Sequence, residues 1–93
     1  MIELVETIPN KLEMSDILEQ VKRTDYVVMP DGRTTICQIT MANGFTVRGE
    51  SSCVDINNFN KSIGEKVAWE NALDKIWLLE GYRLQQRRFE AGL

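Results

Sequence analysis

Histidine is missing from all 93 residues, and no other gap in the composition closes off as much chemistry. Without it there is no Ser–His or Cys–His nucleophile pair and no imidazole to hold a metal. Two cysteines, Cys37 and Cys53, are too few to make a zinc site by themselves. No apolar run approaches the roughly 20 residues needed to cross a bilayer. The segment Met1 to Glu6 is acidic and lacks a secretory pattern, so a cytoplasmic protein without membrane association is expected. Positive charge is short too: 14 acidic residues against 11 basic ones give a net charge of −3. That balance lacks the basic footprint of a binder of polymeric nucleic acid. Together these gaps predict a protein that is not an enzyme and carries no metal or cofactor. A small anionic ligand stays open, since two or three placed arginines can hold one.

What is present fits a single domain spanning residues 1–93. A chain this short buries a modest share of its unfolded surface, so association is expected. Asn10 followed by Glu13 resembles a helix-entry pair, and Met14, Ile17, Leu18 and Val21 fall at helical spacing. They predict a helix from about Lys11 to Lys22. Strands follow over Asp25–Met29, Thr34–Met41 and Phe45–Ser52, separated by Pro30-Asp31-Gly32 and Ala42-Asn43-Gly44.

A three-residue second loop pairs Met41 with Phe45 and Ile39 with Val47, which gathers the large apolar residues on one face. The same reading of the first hairpin pairs Val27 with Thr35 and Met29 with Arg33. It puts Val27 and Met29 on the core face and Tyr26, Val28, Ile36 and Arg48 on the outer one. Cys37 and Cys53 then lie too far apart to bridge.

After N-cap candidates in Asp55–Asn60, and a further capping pair in Ser62 and Glu65, a helix runs to about Leu78, with a second piece from Glu80 to about Phe89. The fold class is α+β: a three-stranded antiparallel sheet with a short N-terminal helix and a long C-terminal helix on one face, a break near Gly81 being left open.

The long helix sorts its residues. Phe59, Ile63, Val67, Trp69, Ala72, Leu73, Ile76 and Trp77 form a broad apolar arc, while Asn60, Gly64, Asn71 and Lys75 form a narrow stripe with Ala68 at its edge. Gly64 inside a helix costs about 0.5–1 kcal/mol relative to Ala. Either another helix or subunit approaches closely there, or a ligand lies over it with Asn60 and Asn71 reading its edges. Glu70 and Asp74, one turn apart, read more simply as structural carboxylates than as an acid–base pair. Arg48 and Arg83 are the cations beside this segment, whereas Arg87 and Arg88 read as a solvated face suited to a helix C-terminus.

The stretches NGFTVRGESSCVD and NFNKSIGEKVAWENALDKIWLLEGYRL resemble the phage gene-product 49/66 family over roughly Asn43 to Leu84. Leu78 stands where that family usually has Pro, which implies a more continuous helix here. The family is in turn similar to the first type of Thoeris anti-defence proteins. That resemblance implies a sponge in an infected bacterial cell, which binds a small nucleotide signal without cleaving it. The ligands implied are cyclic ADP-ribose isomers and cyclic trinucleotides, held by a homo-oligomer, a dimer or an assembly up to a hexamer. Arg48, Phe59, Asn60, Asn71 and Arg83 are the ligand-binding nominees, on their chemistry and their place in or beside the shared motifs. Two alternatives stand beside it: a phage interaction module that binds and inhibits a host protein, and a weak hydrolase using Glu70 or Asp74.

Overall fold

A computed structural model describes residues 8–93; the acidic segment Met1 to Glu6 lies outside them. The chain runs α1 (Met14–Glu19), β1 (Val21–Val28), β2 (Thr34–Met41), β3 (Thr46–Ser52), a 3-10 turn (Ile56–Asn58) and α2 (Lys61–Glu90). The strands form one antiparallel sheet in the order β1-β2-β3. Both α-helices pack on the same face, around a core of Ile17, Cys37, Ile39, Met41, Val47, Ala68, Ala72, Leu73 and Ile76. Trp69 and Trp77 pack half-buried against it.

The second hairpin has the expected three-residue loop. Met41 N donates to Phe45 O at 2.7 Å, Ile39 pairs with Val47, and Gly44 takes φ +91°. The first hairpin differs from expectation by one residue: Val28, not Val27, pairs with Thr35. Asp31 is the cause. Its carboxylate accepts from the backbone N–H of Arg33 and Thr34 and from the Thr34 hydroxyl, so the loop becomes four residues closed by Met29 N to Thr34 O. A one-residue slip inverts a strand's faces. Tyr26 and Val28 therefore share the inner face with Cys37 and Thr35, while Val27 and Met29 join Ile36 outside.

The first helix is also shorter than its periodicity suggests. Glu13, not Asn10, opens it, with Asp16 reaching back to the Glu13 N–H. It stops at Glu19 because Val21 pairs with Met41 and Ala42 N donates to Gln20 O. Strand pairing captures residues 21–24, and Lys22 is accommodated where the register shifts between Val21 and Arg23.

α2 is one continuous helix through Gly81, as Leu78 in place of a proline permits. Asn60 caps it, its side-chain oxygen accepting from Ile63 N at 3.1 Å. The helix meets the sheet through one side of its apolar arc, Ala72, Leu73 and Ile76, together with Ala68. Ala68 and Ala72 are fully buried, whereas Ile63 and Val67 are exposed.

The close approach that Gly64 signals is therefore to the sheet. A Cβ there would come within 2.8 Å of Thr35 Oγ1, and Ser51 donates its hydroxyl to Gly64 O. Gly49 on β3 allows still closer contact: a Cβ there would overlap the α2 backbone at Ala68 O and Ala72 N. Thirty residues of helix span about 45 Å, nearly twice the length of the strands. The C-terminal part of α2 thus runs past the sheet, and the molecule measures 66 × 20 × 17 Å.

Candidate functional site

Gly49 brings α2 against β3, the strand at one end of the sheet order, and so creates a trough along that strand's free edge. Phe45 O accepts from Met41, so the intervening backbone groups alternate: those of Thr46, Arg48 and Glu50 point away from β2. Asn71 of α2 fills one such position, donating Nδ2–H to Glu50 O at 2.8 Å. One helical turn on, Lys75 lies beside the same edge. With Phe45, Thr46, Val47, Arg48, Leu78 and Leu79 it lines an open trough of about 510 Å³.

Arg48 is held at the rim by its own Nε–H, which donates to Gln38 Oε1 at 2.8 Å across the β2–β3 pair. It also borders two neighbouring depressions. One, of about 350 Å³, lies on the outer sheet face with Asp25, Val27, Met29, Ile36 and Gln38. The other, about 300 Å³, is shared with Ile36, Gly49, Glu50 and Lys75.

The other nominated residues do not gather around Arg48. Asn60 commits its side-chain oxygen to the α2 cap, where it also accepts from the Ser62 hydroxyl. Phe59 is half-buried at the end of the 3-10 turn. Asn71 borders a third depression of about 400 Å³ with Arg33, Ser51, Cys53, Ile63 and Gly64. Arg33 there donates to the carbonyls of Cys53 and Val54.

Arg83 lies in a cleft of about 190 Å³ under α1. It bonds the 8% exposed Glu80 at 2.8 Å, and Asp16 and Glu19 line the same cleft beside Arg87. An anion there meets three carboxylates as well as two guanidiniums. Glu70 and Asp74 are exposed on α2, and no metal-binding group of His, Cys, Asp or Glu occurs among the described residues. No described helix is long and apolar enough to cross a membrane.

Sequence reasoning missed Lys75 and Phe45 as site residues. Lys75 falls four residues after Asn71, a spacing that was visible; the approach of β3 that makes it useful was not. Phe45 was assigned to the core face. It stands 56% exposed, at the end of the loop just before β3.

Both free cysteines are unbridged. Burial pushes the Cys37 thiol above its ordinary value, and burial likewise raises the Tyr26 hydroxyl beside it. Tyr26 lies opposite Cys37 on the inner sheet face, and burial makes Cys37 an unreactive core thiol.

A family model described as the phage protein (N4 Gp49/phage Sf6 gene 66) family matches residues 12–88, taking in α1, the whole sheet and nearly all of α2. Neither a curated protein nor a solved structure matches the chain.

Proposed function

This chain belongs to the N4 Gp49/phage Sf6 gene 66 family of phage proteins, and from that membership we propose that it binds a small nucleotide signal and sequesters it intact. The observation that carries this reading is Arg48. It lies inside the NGFTVRGESSCVD stretch that resembles the family, and it borders three contiguous depressions on a chain of net charge −3. A nucleotide asks for a cation for its phosphate and an apolar or aromatic surface for its base, and the trough beside Arg48 offers both. Sequestration requires affinity without turnover, so a chain with no histidine loses nothing by that lack. The candidate ligands are cyclic ADP-ribose isomers and cyclic trinucleotides. A homo-oligomer would deepen pockets that are open in one copy.

A thermal-shift panel of cyclic nucleotides tests the reading. A ligand at 100 times its dissociation constant adds about 2.7 kcal/mol to stability, which for a domain this small raises the melting temperature by roughly 10 °C or more. An unchanged melting temperature across the panel contradicts it.

The outer sheet face supports a second reading, an interaction module that inhibits a host protein. Val27, 57% exposed, lies there with Met29 and Ile36, and neither helix covers them. Apolar patches of this kind mark partner surfaces. Pull-down of one host protein, lost on Val27→Asp, would favour it.

A further inference from the structure

We propose that the trough between the free edge of β3 and α2 is where the phosphate and the base are held, with Lys75 as the second cation beside Arg48 and Phe45 as the ring the base lies against. This rests on the sequestration reading and gives that reading a specific site.

Charge separates this trough from the Arg83 cleft and the Arg33 depression, while the two depressions that share Arg48 with it also hold Asp25 or Glu50. Arg23, Arg33 and Arg83 each have a carboxylate within 4.0 Å. Arg48 and Lys75 form no ion pair among the described residues. On the outer sheet face Gln38 takes one of Arg48's five N–H donors, so four remain for a phosphate at the strand edge that Arg48 and Lys75 both line. Lys75 adds a mobile point charge from the other wall.

The free strand edge contributes as well. The backbone N–H groups of Thr46 and Arg48 point out of the sheet, as unpaired edge donors do. Only the next outward position, Glu50, is taken up by Asn71, through its carbonyl.

The rest of the trough is apolar. Phe45, Leu78 and Leu79 line it and are exposed, so a planar base can cover surface that is otherwise wet. Its volume of about 510 Å³ falls in the range of small-molecule sites, roughly 300–1,000 Å³. The Arg83 cleft, about 190 Å³, falls below it. Glu50 opposes the proposal locally, since it lines the adjoining depression with Arg48 and Lys75. Its charge should weaken binding of an anion, which provides a test of opposite sign.

Calorimetry with cyclic ADP-ribose and cyclic triadenylate tests the site on wild type, Lys75→Gln, Lys75→Arg, Glu50→Gln and Lys66→Gln. Lys66 lies nine residues before Lys75, on the opposite side of α2, and serves as the control. The expected result is affinity about tenfold weaker for Lys75→Gln, nearly retained for Lys75→Arg, stronger for Glu50→Gln and unchanged for Lys66→Gln. All three positions are exposed, so circular dichroism should report an unaltered fold.

If wild type binds and Lys75→Gln matches Lys66→Gln, the ligand sits elsewhere and the trough proposal falls, while sequestration stands. If wild type binds neither nucleotide, sequestration of these signals falls, and pyrophosphate then judges the trough by itself in an amide NMR titration. Shifts at Thr46 and Arg48 that disappear in Lys75→Gln uphold an anion site there. Their absence in wild type overturns it.

Discussion

Gly49, Gly64 and Gly81 carry different constraints, and alanine at each should separate them. At Gly49 the added methyl would overlap backbone atoms of α2 at Ala68 and Ala72, which cannot turn aside as a side chain can. Gly49→Ala should destabilise by about 3 kcal/mol, a large share of the 5–15 kcal/mol that holds a small domain together, and a urea melt reads it directly. At Gly81 the nearest obstacle is Leu12 Cδ1 at 4.0 Å, so Gly81→Ala should stabilise α2 by about 0.5–1 kcal/mol in the same assay. Gly64→Ala should fall between them, because Thr35 Oγ1 must give way. Sequence alone exposed part of this. A glycine within a helical pattern announces itself, so Gly64 reads as a place for a second helix or subunit, or for a ligand; what comes close there is the sheet. Gly49 sits in a strand beside polar residues, and nothing local distinguishes it; only the packed helix does. The cysteines were legible, because strand spacing suffices to exclude a bridge. Cys37, buried and raised above its ordinary value of 9.0, should resist a thiol reagent until the protein unfolds, whereas half-buried Cys53 should react first.

Among the elements, β3, the second hairpin and α2 followed from short-range rules, and α1 and β1 did not. The Ala42-Asn43-Gly44 loop has one register that buries the apolar set, so it could be chosen on paper. In the first hairpin both registers bury something, and the decision belongs to the Asp31 carboxylate, whose bonds depend on the loop they create. The Thr34 hydroxyl and the backbone N–H of Arg33 hold that carboxyl below its usual range. Its contribution to the loop is thus present above about pH 3.8 and lost as pH falls through the lower folded value. Cys37 and Tyr26 act in the opposite direction: both are raised by burial, so their contribution is complete below their ordinary values and declines as alkaline pH passes the folded ones. A stability–pH profile should therefore fall at the alkaline end, and Cys37→Ala should remove part of that fall. The ends of α1 were misread because Val21 fits helical spacing and strand pairing alike, and pairing with Met41 prevailed. α2 was legible in extent, and Asn60→Ala should cost it about 1 kcal/mol as a lost cap.

At the scale of the molecule, the shape is the main physical evidence about assembly. A compact chain of 100 residues has a radius of gyration of about 13 Å, and this one has 17.4 Å, because α2 extends beyond the sheet. The helix displays Leu78 beside β3 and Tyr82 and Phe89 further on, all at least 70% exposed, an amount of apolar surface a lone copy would leave wet. The protein should therefore associate, and light scattering at micromolar concentration should give at least twice 10.7 kDa; a mass near 10.7 kDa contradicts the proposed oligomer. The nominated ligand residues were legible as chemical types but not as a constellation. Asn60 and Asn71 are occupied by the cap and by the strand edge, and Arg83 by Glu80, while Lys75 and Phe45 gain importance only once β3 lies beside α2. Sequestration without turnover is the central claim, and one measurement bears on it most directly. The protein is incubated with cyclic ADP-ribose or cyclic triadenylate, freed of unbound ligand, denatured by heat, and the released material is identified by mass spectrometry. Recovery of the intact ligand in stoichiometric amount is the predicted result; recovery of a cleaved product, or of no nucleotide at all, contradicts it.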